Sequence, residues 1–136
     1  MMKEMTIEAA VENIDAVTDF VNGELRALNC PLKATKQIDV AIDELFGNIA
    51  RYAYPSKGGQ ATVRIEVEED PLAVIITFID CGKPFDPLRR DDPDITLGAE
   101  EREIGGLGIF VVKQMMDAVD YEYKDGQNIL RIRKEW

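Results

Sequence analysis

The chain contains no histidine. It therefore cannot supply, by itself, a Ser-His triad, a Cys-His pair, a histidine metal site or a phosphohistidine. Cysteine is nearly as scarce. Cys30 and Cys81 stand far apart without a repeated spacing, which excludes a four-cysteine zinc site and reads as free thiols in a reducing cytosol rather than a disulfide. Basic charge is short as well: 16 Lys and Arg against 26 Asp and Glu give a net charge of −10. Nucleic-acid backbones and anionic membranes call for a basic surface, so neither is expected as a direct partner. No apolar run approaches the roughly 18 residues of a membrane span, and MMKEMTIEAA has no signal-peptide core, so a cytoplasmic location is expected. The phosphate-loop pattern GxxxxGK[ST] and the loops of eukaryotic-type kinases are missing too.

What is present is a globular composition. With 46% hydrophobic and 31% charged residues over 136 positions, residues 1–136 are expected to form one domain with its own core. Lys3 to Ile7 suits a short strand. Asn13 can cap a helix to about Leu28, with Ile14, Val17, Val21, Leu25 and Leu28 on one face, ended by Asn29-Cys30-Pro31. Thr62 to Glu68 alternates apolar and polar residues, which predicts a strand with one wet face. Leu72 to Ile79 is nearly all apolar, as in a strand buried on both faces. Gly105-Gly106-Leu107-Gly108 opens a helix to about Ala118, with Ile109, Val112, Met115 and Met116 toward the core. Val119 to Lys124 and Asn128 to Arg133 make a final hairpin about Asp125-Gly126. Ahead of that helix, Leu88 to Ile104 is charged and aperiodic, a loop length usually reserved for functional or disordered segments.

The most informative stretch is DVAIDELFGNIARYAYP, Asp39 to Pro55, in a helix that starts near Lys33. Ile38, Ala41, Ile42, Leu45, Ile49 and Ala53 recur at helical spacing and predict a core stripe. Glu44, Gly47, Asn48 and Arg51 recur on another face, where a carboxylate and a carboxamide four residues apart project side by side. Gly47 costs about 1 kcal/mol against Ala in a helix, a cost consistent with close approach of another group to the backbone. A solvated helix face is the plain alternative.

Two further motifs complement this helix. Glycines at a helix start let backbone N–H groups face an anion such as phosphate. As a dinucleotide fingerprint Gly106 and Gly108 fail, because Val111 stands where a third glycine is wanted. Asp80, at the mouth of a buried strand, only accepts hydrogen bonds, so it suits the exocyclic amino group of adenine and would repel the oxygen of guanine. Gly82 would let a base pass close to the chain. Asn48 offers a hard oxygen for Mg²⁺, Glu44 can take a proton from an attacking hydroxyl, and a loop arginine can stabilise charge on a transferring phosphoryl group. Each motif alone is also an ordinary turn or surface feature; together, in this order, they make a nucleotide site.

The phrases Glu44-Leu-Phe-Gly-Asn48, Asp80-Cys-Gly82-Lys-Pro-Phe-Asp-Pro and Gly106-Leu107-Gly108 resemble the asparagine box and glycine boxes of the GHKL ATP-binding superfamily of DNA gyrase, histidine kinases and mismatch-repair ATPases. ELFGNIARYAYP, DCGKPFDP, IGGLGIFVVKQMMD and GQNILRIRK are most similar to bacterial anti-sigma factor serine/threonine kinases. The resemblance covers most of the chain from Glu44 on; the first 35 residues match only in general pattern.

The resemblance implies an α/β Bergerat-type two-layer sandwich, a mixed and largely antiparallel sheet packed on helices, with a mobile ATP lid at about 88–104. It implies ATP and Mg²⁺ as cofactors. Glu44 would be the catalytic carboxylate and Arg102 a lid arginine near the phosphates. Asn48 would bind Mg²⁺, Asp80 adenine, and Arg51, Gly82, Gly105, Gly106, Leu107 and Gly108 would shape the nucleotide pocket. Asn128 stands where a threonine is expected and would bridge by its amide. Function would be phosphorylation of an anti-anti-sigma partner, with retention of a sigma factor, by a homodimer. A non-catalytic, ATP-dependent binding module is the alternative, and a domain without a ligand a third. The absence of an acceptor histidine, a sensor segment or a second domain favours the kinase.

Overall fold

The computed structural model describes residues 2–54, 58–89 and 106–136. Strands β1 (Met2–Glu8), β2 (Gln60–Glu68), β3 (Ala73–Asp80), β4 (Ala118–Lys124) and β5 (Gln127–Glu135) form one sheet in the order β1-β2-β3-β5-β4. All four pairings are antiparallel, where a mixed sheet was expected. No parallel pair forms, because β5 returns between β3 and β4. Helices α1 (Ile14–Ala27), α2 (Leu32–Asn48) and α3 (Gly106–Met115) make the second layer.

Alternation decides which face of the sheet meets the helices. Val63 and Ile65 of β2 stand opposite Phe78 and Ile76 of β3, which stand opposite Leu130 and Ile132 of β5. All six belong to the core, with Val17, Val21 and Leu25 of α1, Ile38, Ile42, Leu45 and Phe46 of α2, and Ile109 and Val112 of α3. Cross-strand apolar pairs of this kind are the unit of sheet stabilisation. The other face carries polar ladders, Arg64 to Glu4 at 3.0 Å and Arg133 to Glu68 at 2.8 Å. β3 is not sealed on both sides: Ile75 and Ile79 point to this uncovered face and are only half-buried.

Local chemistry sets the element ends. Asn29 closes α1 in the left-handed region (φ 55°). Cys30 N donates to Leu25 O at 3.0 Å and Asn29 N to Arg26 O at 3.1 Å, the paired bonds of a Schellman end with asparagine in the usual glycine position. Asp125 and Gly126, with φ 53° and 77°, give the hairpin turn whose twist matches antiparallel strands. Asn13 does not cap α1 as expected. A 3₁₀ turn, Val11–Asn13, precedes the helix, and the Asn13 amide turns back to donate to Glu8 O at 2.9 Å. α3 ends at Met115 rather than Ala118, because Ala118 already pairs with Arg133 in the sheet. The expected lid lies almost wholly outside the described residues; Leu88 and Arg89 fall in a 3₁₀ turn, Pro87–Arg89.

The central helix departs most from expectation. It is α-helical to Asn48 and then widens into a π turn, Ile49–Ala53. Such wider turns interrupt α-helices frequently at functional sites.

Phe46 and Val40 share α2 but not an environment. Phe46 is fully buried, whereas Val40 is 43% exposed. Phe46→Ala is expected to lose about 3–5 kcal/mol of unfolding free energy, and Val40→Ala no more than about 0.5 kcal/mol, both read from urea-denaturation midpoints.

Candidate functional site

The π turn after α2, the end of β3, the turn that follows it and the start of β5 line a cleft open to solvent. Its walls are mostly apolar: Leu45, Ile49, Ala53, Phe78, Pro87 and Leu130, with Tyr52 and Phe85 near one another at 6.5 Å between ring centroids. The polar groups that reach it are few: Asn48, Asp80, Lys83, Tyr121 and Asn128. A small number of placed polar groups in an apolar concavity is the usual design of a small-molecule pocket.

Asp80 is 5% exposed. Burial pushes its carboxyl above the ordinary aspartate value, and hydrogen bonds from Asn128 and Gly82 oppose that shift. Both bonds fall on one oxygen: Gly82 N and Asn128 Nδ2 each donate to Oδ1 at 2.9 Å. No donor to Oδ2 is present among the described residues, which leaves that atom as the acceptor available to the cleft. Asn128, opposite Asp80 in the β3–β5 register, also donates to Lys83 O at 2.9 Å. Its Oδ1 accepts from Phe85 N at 3.1 Å and from the Tyr121 hydroxyl.

Along α2, Asn48 Nδ2 donates to Glu44 Oε1 at 3.2 Å. The Asn48 oxygen is left without a donor among the described residues. Glu44 does not line the cleft itself but packs against α3, where a methyl group at Gly108 would collide with its carboxylate. The sequence-predicted set is thus divided. Asn48, Asp80 and Asn128 share the cleft, with Glu44 and Gly108 joined to it through Asn48. Gly106 and Leu107 open α3. Arg51 lies outside the lining and folds its guanidinium back over Gly47, and Gly82 turns out to face Ala53 of the π turn. Gly105 and Arg102 lie outside the described residues.

Sequence reasoning did not single out Lys83, Tyr52, Phe85 and Tyr121. Lys83 and Phe85 sit inside the motif after Asp80 and were legible by adjacency. Tyr52 follows Asn48 and Ile49 at helical spacing, so the same face of the segment carries it to the cleft and periodicity could have found it; Tyr121 enters because β4 is brought beside β5, and it carries no local signal. Tyr54 ties the site together from behind. Its hydroxyl donates to Gln60 O and accepts from Cys81 N, both at 2.7 Å, so it links the end of the central helix to the ends of β2 and β3.

The two glycines facing α2 differ in what holds them. A Cβ at Gly82 would meet the Ala53 carbonyl oxygen, and Ala53 Cβ at 2.6 Å, while Lys83 N donates to that same carbonyl at 3.1 Å. A Cβ at Gly47 would meet only the Arg51 guanidinium, 2.7 Å from Nη1, the movable end of a flexible side chain. Gly82→Ala is expected to cost about 1–3 kcal/mol, the usual cost of overpacking. Gly47→Ala is expected to be neutral or to gain up to about 1 kcal/mol from helix propensity. Denaturation of both variants checks this; equal losses would contradict the geometry.

The raised carboxyl of Asp80 gives a signed pH effect. The folded state holds the proton more tightly than the unfolded chain, whose ordinary value is 3.8. The associated stability is complete below that value and is lost as pH rises through the raised folded value. Asp80→Asn cannot titrate, so the native protein should lose melting temperature relative to the variant as pH rises above 3.8. Parallel melting curves across a pH series measure it.

The sequence and the fold resemble those of known proteins. Over 103 residues, 72% of this chain, the sequence is 30% identical to a protein of Listeria monocytogenes named serine-protein kinase RsbW, and this match spans 64% of that relative, under two thirds of its length. The protein of the same name from Halalkalibacterium halodurans is 27% identical over 132 residues, 90% of this chain and 76% of the relative. Among solved structures, a chain of the SiaB–SiaC complex from Pseudomonas aeruginosa superimposes with a TM-score of 0.56 over 97% of this chain and 89% of that one, at 17% identity, which is likeness of fold. The sequence pattern of the histidine kinase-like ATPase domain matches residues 7–134, and the chain belongs to that family.

Proposed function

We propose that the cleft binds MgATP and that the chain transfers a phosphoryl group to a serine or threonine of a partner protein. In this reading the chain is an anti-sigma regulatory factor, its phosphoacceptor an anti-anti-sigma protein and its other partner a sigma factor. The relatives named serine-protein kinase support the reaction class. The observation that carries the nucleotide is Asp80: a buried carboxylate in an apolar cleft, with one oxygen held by the protein and no donor to the other among the described residues. That oxygen accepts from the exocyclic amino group of adenine and opposes the O6 of guanine. Ile49, Ala53, Phe78 and Leu130 offer the base apolar walls.

The amide of Asn48 fits a metal ligand. Its nitrogen is engaged by Glu44, which orients the oxygen outward as a hard donor, and Mg²⁺ needs only one or two such protein ligands beside phosphate and water. Bound MgATP supplies the transferable phosphoryl group. Glu44, one turn from Asn48 and seated against Gly108, receives the proton of the incoming hydroxyl. Backbone N–H groups at Gly106, Leu107 and Gly108, at the start of α3, would hold the phosphates. Arg51, Gly105 and Arg102 are assigned to the phosphate side by their place in the sequence.

The fixed Oδ1 sharpens the adenine test. Asparagine at position 80 can keep both protein bonds through its own oxygen and then presents an amino group where Oδ2 was. Asp80→Asn is expected to stay folded, lose ATP affinity by about 1–3 kcal/mol and lose discrimination against GTP. Calorimetric titration with both nucleotides reads this, and a native protein that binds them equally would sink the assignment.

Glu44→Gln is expected to bind ATP normally and transfer phosphate roughly 10²–10⁴-fold more slowly, the lower end applying where the transition state is loose. Asn48→Ala is expected to lose metal-dependent ATP affinity first. Single-turnover transfer to the partner separates the two. Transfer by Glu44→Gln at the native rate would remove the catalytic assignment and leave an ATP-dependent binding module.

A further inference from the structure

We infer that Asn128 is the positioning residue of the base pocket: it fixes which oxygen of Asp80 faces the nucleotide, and through that the choice of adenine, without touching the base. This rests on the nucleotide reading of the cleft. Asn128 is 6% exposed, and its amide is spent on the protein. A carboxamide has two N–H donors and two acceptor lone pairs. The donors go to Asp80 Oδ1 and Lys83 O, each at 2.9 Å, with Gly82 O farther away at 3.5 Å. The lone pairs take Phe85 N at 3.1 Å and the Tyr121 hydroxyl. No capacity remains for a ligand.

Those partners are the parts of the pocket. Asp80 supplies its acceptor, and Lys83 and Phe85 stand on the turn that forms one wall. One side chain therefore holds the plane of the carboxylate and the path of the turn together. It does so from a strand position directly opposite Asp80, so the β3–β5 register delivers it. Hydrogen-bond polarity matters more than shape here. Each group that Asn128 Nδ2 meets, on Asp80, Lys83 and Gly82, is an acceptor, so only a donor satisfies the site.

Asn128→Asp tests polarity at constant shape. Its new oxygen faces Asp80 Oδ1 and Lys83 O. Two carboxyls in contact share one proton when it is available and repel when it is not. The variant is expected to bind ATP within a few-fold of native at about pH 5 and at least about tenfold more weakly at about pH 8, as the bridging proton leaves and Asp80 is displaced. The native protein at the same two pH values is the reference against which that loss is read. A role in packing alone predicts no such pH dependence, because the two side chains are isosteric.

Tyr121→Phe removes the hydroxyl that donates to the Asn128 oxygen and that also meets the Phe85 backbone N–H, another partner of Asn128. It is expected to weaken ATP several-fold while GTP affinity stays level. Calorimetry of native, Asn128→Asp and Tyr121→Phe with ATP and GTP provides every readout. A native protein that binds neither nucleotide refutes the cleft reading and this inference with it. A native protein that selects ATP, beside an Asn128→Asp variant with native affinity at both pH values, overturns the role of Asn128 alone. Should Asn128→Asp be unfolded at both pH values, an unchanged ATP-to-GTP ratio in Tyr121→Phe overturns it instead.

Discussion

A charged carboxylate inside an apolar wall is the constraint on which this site depends. Desolvation favours the neutral acid, and at Asp80 it is the largest influence on the carboxyl. Two hydrogen bonds on Oδ1 oppose it. One comes from the backbone two residues on, which requires the chain to fold back at once after β3. The other comes from β5, which requires the two strands to be in the observed register. A one-residue slip would turn Asn128 to the other face of the sheet and leave a buried carboxylate with half its support. Register and binding chemistry are here the same requirement.

The turn after Asp80 is constrained from its other side by α2. Gly82 lies against the Ala53 carbonyl so closely that no side chain fits, and Lys83 N bonds to that carbonyl. An α-helix in its last turns has carbonyls without helical partners. The π turn places one of them where the turn can use it, and brings Ile49, Tyr52 and Ala53 to the cleft. The same helix buries Ile38, Ile42, Leu45 and Phe46 against the sheet. Packing energy thus holds the polar face, with Glu44 and Asn48 bonded to each other, in a fixed position relative to Asp80.

The glycines show how a correct expectation can rest on a different neighbour. Gly47 suggested close approach of an outside group; the group is Arg51 from the next turn of the same segment. Gly82 suggested passage of a base, yet its missing side chain makes room for Ala53. At Gly108 the space belongs to the Glu44 carboxylate, so this glycine joins α3 to the proposed base. In each case the residue type was informative about crowding, and silent about what crowds.

Local rules determined much of this protein directly from sequence. The period-2 pattern of β2, the 3.6-residue stripe of α2, the left-handed hairpin pair Asp125-Gly126 and the break after Asn29 depend on neighbours only a few residues away, and the structure has all of them. So do the spacing of Glu44 and Asn48 and the position of Asp80 at a strand end. Only the tertiary structure decided that β5 lies between β3 and β4, that Asn128 faces Asp80 across 48 residues of chain, and that the last turns of the central helix widen. Those outcomes turn on non-local terms: which strand edges remain unpaired, where a buried carboxylate finds a donor, and which carbonyl a neighbouring turn can reach. A window of sequence contains the groups that need partners, but the partner of each is chosen by the packing of the whole chain.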